Sequence, residues 1–129
     1  MITQIVDGVF VANYAALSES AASFAASDGS LKSYCSAIGS EQEGAAFDSA
    51  RDQWRLTMAA VQATEMHVLG PTANNEDSLR SRVHSYGAGK LSTCGVDQSV
   101  VLAEEVGFDV ATRSINHRGM GAIGYLLFN

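Results

Sequence analysis

The composition of the chain and the spacing of its apolar residues predict an all-α fold, an up-and-down helical bundle. Of 129 residues, 47% are hydrophobic and a single one is proline, while alanine, serine and glycine are plentiful. Few β-branched runs and few turn signals favour close-packed helices over a β-sandwich. Because this length suits one domain with a sizeable core, residues 1–129 are expected to form a single helical bundle.

Apolar residues recur every three or four positions in the first half of the chain, which predicts amphipathic helices. One helix is expected over residues 2–26 and a shorter one over residues 31–38, with Gly39 and Ser40 closing it. The next helix is the clearest, and Gly70 and Pro71 end it. Its expected core-facing positions are Phe47, Ala50, Trp54, Met58, Val61, Glu65 and Val68.

The second half of the chain predicts shorter helices and a glycine-rich end. The loop at residues 74–77 can cap a short helix through Val83, residues 85–93 form a connection, and another helix is expected over residues 96–106. An apolar terminal segment, residues 116–129, contains three glycines. Each glycine inside a helix lowers helix stability by about 1 kcal/mol relative to alanine. Close packing against another helix is therefore the simplest explanation for these glycines.

The charge of the chain bounds its partners. The net charge is −6, the isoelectric point is about 4.8, and lysines and arginines form no cluster. A nucleic acid or an anionic membrane surface is therefore not expected as a partner. No apolar run approaches the roughly 20 residues that cross a bilayer. The first residues do not form a signal peptide, so an exported protein would here be in its mature form.

No residue pattern predicts a catalytic centre or a bound cofactor. A nucleophile elbow and a His-Glu-x-x-His motif are both missing from the sequence. Gly119, Gly121 and Gly124 match a dinucleotide-binding loop in spacing alone, because no strand is predicted before them.

Single polar residues on the predicted helices have two interpretations each. Glu65 could ligate a metal or act as an acid or base, or it could lie at the rim and reach solvent or an arginine. His67 lies two residues after Glu65 and faces away from it on a helix, so the pair is not a ready ligand set. His84 and His117 are isolated in the sequence, and isolated histidines are usually structural or exposed. Cys35 and Cys94 lack metal-ligand spacing, and both a disulfide and two buried free thiols fit them.

The terminal run resembles the signature of the imelysin-like family of bacterial periplasmic proteins. That signature reads roughly Arg-Gly-x-His-Ala-Ile-Glu-Tyr-Leu-Leu-Phe and contains Gly-x-His-x-x-Glu. This chain has Arg118-Gly119-Met120-Gly121-Ala122-Ile123-Gly124-Tyr125-Leu126-Leu127-Phe128. Three further stretches are similar to the family in the same order: Ile5 to Leu17, Ala46 to Pro71, and Cys94-Gly95-Val96-Asp97-Gln98.

The resemblance implies a periplasmic or surface-anchored protein built of two related helical bundles. Family members are linked to iron uptake and have been labelled metallopeptidases. This chain would be the N-terminal bundle, and its partner would be the C-terminal half, in the same chain or separate after cleavage. An oxidising compartment also implies a disulfide between Cys35 and Cys94, because thiols oxidise there.

The departures from the signature bear on function. Gly121 and Gly124 stand where the family has the His and Glu that are its proposed metal ligands, so a metal site and peptidase activity are not expected here. The leading hypothesis is a non-catalytic protein that binds a small ligand or partner in the cleft between its bundles. The predicted cleft residues are Glu65, Gly70, Pro71, Arg118 and Gly119.

Two interpretations of Arg118 stay open, and so do two alternatives to the leading hypothesis. Arg118 could anchor an anionic group through a bidentate contact, or it could pair with an acidic residue of the chain. One alternative is a metal- or iron-binding protein with ligands from Glu65, His117 or the other half. The other alternative is a purely structural half-molecule.

Overall fold

The structure, a computed structural model, is all-α and confirms the predicted fold class. It describes residues 2–67, 73, 79 and 91–129, and these residues contain helices and no strand. The chain divides into two compact units, Met1–Val68 and Leu69–Asn129. None of the helices in the described part of the chain is both long and apolar enough to cross a membrane.

The first unit opens with one continuous helical run. Its three segments are α1 (Ile2–Ile5), a π-helical stretch (Val6–Val11) and α2 (Ala12–Ala25). The helix predicted over residues 2–26 is therefore confirmed, but the π-helical stretch was not foreseen. The apolar stripe steps by four residues from Ile2 to Tyr14, more than the 3.6 residues of an α-turn. The wider turn of a π-helix accommodates such a spacing.

Two further helices pack with α2 in this unit. They are α3 (Ser30–Ala37), within one residue of its prediction, and α4 (Glu43–Thr64), which contacts both α2 and α3. Ala50 and Val61 of α4 are buried as predicted. Thr57 and Thr64 are also buried, although they were not among the predicted core positions. The threonine hydroxyls donate to backbone carbonyls one turn earlier, at 2.9 Å and 2.8 Å, which lets these polar side chains enter the core.

The second unit is built on two helices joined by short 3-10 turns. In order, its elements are α5 (Thr93–Leu102), the turns Val110–Thr112 and Ile115–His117, and α6 (Met120–Phe128). α5 contacts both the second turn and α6. It starts three residues before the predicted boundary because the Ser92 hydroxyl accepts the backbone N–H of Gly95 and caps the helix.

Some predicted features lie outside the described residues. They are Gly70 and Pro71, the short helix through Val83, His84, and most of the connection at residues 85–93. The prediction that the third helix continues to Gly70 is wrong, because α4 ends at Thr64.

Candidate ligand-binding groove

An apolar groove of about 480 Å³ lies in the second unit. α5 contributes Val96, Ser99 and Val100 to its lining, its C-cap residue Ala103 also lines it, and α6 contributes Ala122, Ile123 and Leu126. The segment between the helices contributes Phe108, Val110, His117, Arg118 and Gly119. The α5 residues are spaced by three, four and seven positions, so they share one face of that helix. The two helices and the connecting segment thus form an apolar wall.

Large apolar side chains at the groove are only half covered. Val100, Val110 and Leu126 are 50%, 52% and 49% exposed, whereas Val96 and Ala122 at the base are buried. Covering a half-exposed valine or leucine is worth about 1 kcal/mol, since full burial of such a side chain gives about 1.5–3 kcal/mol. The groove therefore offers binding energy to an apolar occupant.

The imidazole of His117 packs directly on α5 at Gly95. A Cβ built on Gly95 would overlap the ring of His117, so this position admits no larger residue without movement. The Nδ1 atom of His117 is buried and makes no hydrogen bond among the described residues. Ser92 N–H donates to the carbonyl of Asn116 at 3.0 Å, which also ties the start of α5 to this turn. Gly95 thus lets the segment that carries His117 lie against the helix.

The backbone conformation explains why the first glycine of the terminal segment, Gly119, is a glycine. Gly119 immediately precedes α6 with φ of +88° and ψ of −172°, a region that only glycine occupies readily. Gly124, by contrast, is buried in α6, which fits the predicted role of close packing. The glycine pattern of the family-like signature therefore combines a backbone requirement with a packing requirement.

Polar groups in the groove wall bond to the protein itself. The Ser99 hydroxyl donates to the carbonyl of Gly95 at 2.8 Å and accepts Nε–H of Arg113 at 3.2 Å. Nη1 of Arg118 donates to the carbonyl oxygens of Ala111 and Val110. Arg118 therefore holds the Val110–Thr112 turn against the groove, a role that sequence reasoning did not foresee.

A tyrosine–carboxylate pair joins the two helices of this unit. The hydroxyl of Tyr125 in α6 donates to Oδ2 of Asp97 in α5 at 3.1 Å. This hydrogen bond is the main reason that the pKa of Tyr125 is raised above its ordinary value of 10.0, with smaller contributions from desolvation and from the charge of Asp97.

His67, in the first unit, is held on all sides and has a structural role. Asn13 Nδ2 lies 2.8 Å from Nε2 of His67 and 3.3 Å from the carbonyl of Ala63. Because a carbonyl only accepts, the amide nitrogen is the donor and Nε2 is the acceptor. Tyr14 donates to the His67 carbonyl at 2.6 Å, and the Phe10 ring packs on the imidazole at 4.3 Å. The sequence indicated only that His67 does not pair with Glu65, and this cluster was missed.

The structure places two of the five predicted cleft residues together. Arg118 and Gly119 both line the groove. Glu65 belongs to the first unit, where it is half-buried just after α4, and Gly70 and Pro71 lie outside the described residues. The apolar walls of the groove were missed, because the valines of α5 reach those of the connecting segment only through the tertiary fold.

The predicted disulfide is not formed. Cys35 and Cys94 are free thiols, and both are exposed rather than buried. Cys35 lies in α3 of the first unit and Cys94 in the first turn of α5 in the second, so each is a surface residue of a different unit. The prediction depended on the compartment that the resemblance implies, and the fold itself does not pair these residues.

Within residues 2–67, 73, 79 and 91–129, no three His, Cys, Asp or Glu side chains are grouped so that they could hold a metal ion.

Comparison with protein-family models, with curated proteins and with solved structures found no match. The imelysin-like resemblance therefore stays a hypothesis, supported by the sequence motifs alone.

Proposed function

We propose that the protein is a non-catalytic binding protein that holds a small molecule in the groove of its second unit. The observation that carries this proposal is the apolar groove itself, whose volume of about 480 Å³ is typical of small-molecule sites. Its buried base of Val96 and Ala122 and its half-exposed rim of Val100, Val110 and Leu126 suit an apolar ligand.

The wider setting of this proposal comes from the imelysin-like resemblance. On that basis the protein is periplasmic or surface-anchored and has a link to iron uptake. A second, C-terminal bundle, in the same chain or as a separate one, would be its partner. A role without catalysis accords with Gly121 and Gly124, which provide no side chains where the family signature has its His and Glu. No observation in the described residues favours the alternative metal- or iron-binding function.

Two neighbouring valines of α5 allow a matched test of the groove. Val100 lines the groove, whereas Val101 is 72% exposed and does not line it. The neutral fluorescent probe N-phenyl-1-naphthylamine is titrated against the wild-type protein, Val100→Asp and Val101→Asp. The new carboxylate at residue 100 must be desolvated when an apolar molecule covers it, and we expect the Kd to rise about tenfold or more. Val101→Asp should bind within about twofold of wild type, because its carboxylate stays in water.

Two results would count against the proposal. The absence of saturable binding to the wild-type protein would refute the groove as a ligand site. Equal weakening by both aspartates would place the bound probe elsewhere on the surface. Far-ultraviolet circular dichroism of both variants checks that each retains the helical fold.

A further inference from the structure

The chemistry of the groove restricts the class of ligand, provided that the groove is the binding site proposed above. An anionic ligand needs a hydrogen-bond donor or a cation that is available at the wall. The polar groups at this wall are Ser99, His117 and Arg118. Whether each can serve a ligand follows from its own contacts.

None of these three residues presents an evident anchor for an anion. Both hydrogen-bonding functions of the Ser99 hydroxyl are used within the protein, and Nη1 of Arg118 faces two backbone carbonyls. Nδ1 of His117 is buried, and the Nε2 edge of its ring lies against Gly95 of α5. A charged group that entered the groove would lose its hydrogen bonds to water, and the wall would not replace them.

Three exposed acidic residues are next to lining residues in the sequence. Glu104 and Glu105 directly follow the lining residue Ala103, and Asp109 lies between the lining residues Phe108 and Val110. All three acidic residues are exposed. These three carboxylates outnumber the two guanidiniums near the groove, that of Arg118 in the lining and that of Arg113, which bonds to Ser99, and the chain has a net charge of −6. The electrostatic field at the groove opposes anions.

We infer that the groove selects an uncharged, hydrocarbon-rich small molecule and discriminates against the same molecular body carrying an anionic group. The apolar wall provides the affinity, and the surrounding carboxylates provide the discrimination. This assigns Glu104, Glu105 and Asp109 a role in ligand selection.

A pair of fluorescent probes with one molecular body tests this inference. N-phenyl-1-naphthylamine is neutral, and 8-anilinonaphthalene-1-sulfonate is nearly the same molecule with a sulfonate. At low ionic strength we expect the neutral probe to bind about tenfold or more tightly, because the sulfonate is both desolvated and repelled. Added salt should strengthen sulfonate binding by screening the carboxylates and should leave neutral-probe binding nearly unchanged.

Charge-neutralising variants identify the carboxylates responsible. The double variant Glu104→Gln, Glu105→Gln should lower the ratio of the sulfonate Kd to the neutral-probe Kd several-fold at low salt. The control double variant Glu19→Gln, Glu41→Gln removes the same charge from exposed positions of the first unit. It should lower the ratio of the two Kd values much less. An equal effect of both variants would assign the discrimination to net charge and overturn the role of the groove carboxylates.

The failure of this inference is distinguishable from that of the proposed function. Sulfonate binding that equals or exceeds neutral-probe binding, and that is weakened by Val100→Asp, would overturn the inference and leave the groove as a ligand site. Failure of both probes to bind would overturn the proposed function itself.

Discussion

The contact between Gly95 and His117 predicts a large difference between two glycine-to-alanine substitutions. Gly95 lies in the first turn of α5, and a Cβ there would overlap the imidazole of His117. Gly44 lies in the first turn of α4 and has open space around it. Both substitutions add one methyl group near a helix N-terminus, so they differ mainly in what that methyl group meets.

The magnitude follows from two opposing effects. Replacing a helical glycine with alanine stabilises a helix by up to about 1 kcal/mol, and this gain is common to both sites. Overpacking a filled site costs about 1–3 kcal/mol, and this cost applies to Gly95 alone. Gly44→Ala should therefore be neutral or stabilising, whereas Gly95→Ala should be less stable than Gly44→Ala by about 1–3 kcal/mol.

Amide hydrogen exchange is the suitable assay, because it reads the stability of α4 and of α5 separately. Gly95→Ala should speed exchange in α5, and Gly44→Ala should not speed it in α4. The double variant Gly95→Ala, His117→Ala should lose about 1–2 kcal/mol less free energy of unfolding than the sum of the losses in the two single variants, because the overlapping ring is gone. Equal effects of Gly95→Ala on α5 and of Gly44→Ala on α4, together with no coupling between residues 95 and 117, would refute the packing of this turn on α5.

Two further predictions concern the same unit. Gly119→Ala should lower thermal stability by about 1–3 kcal/mol, because its φ of +88° is strained for any side chain; a melting temperature equal to wild type would contradict this conformation. Asp97→Asn should lower the pKa of Tyr125 toward its ordinary value, since the hydrogen bond to the carboxylate is the main cause of the raised pKa. The pair is intact at neutral pH and is lost as the pH rises through that raised pKa. Ultraviolet titration of tyrosinate, with Tyr125→Phe as the reference, measures the midpoint, and an unchanged midpoint would exclude the pair.

Helix positions were predictable where apolar residues form a stripe. The helices over residues 2–26 and 31–38 were predicted nearly to the residue, because apolar residues recur there at helical spacing. Thr57 and Thr64 were missed as core residues, because a threonine can satisfy its hydroxyl within its own helix. The start of α5 was missed because the Ser92 cap acts before the apolar stripe begins.

The groove itself was not predicted: the expected cleft lay between two bundles, whereas the groove lies within the second unit. Arg118 and Gly119 were selected through a family resemblance, and the structure places both at the groove, although Arg118 bonds to backbone carbonyls there. The apolar wall needs Val100 and Val110 to come together, and their spacing in the sequence carries no signal of that contact. Gly119 owes its identity to a backbone angle, which composition and periodicity do not reveal.

The most direct test of the ligand-binding account is methyl NMR of the protein titrated with N-phenyl-1-naphthylamine. The account predicts shift changes concentrated at groove methyl groups, those of Val100, Val110 and Ile123, with little change at Val101. Val61, buried in the first unit, should also be unaffected. Shift changes centred on the first unit, or none at saturating probe, would contradict it.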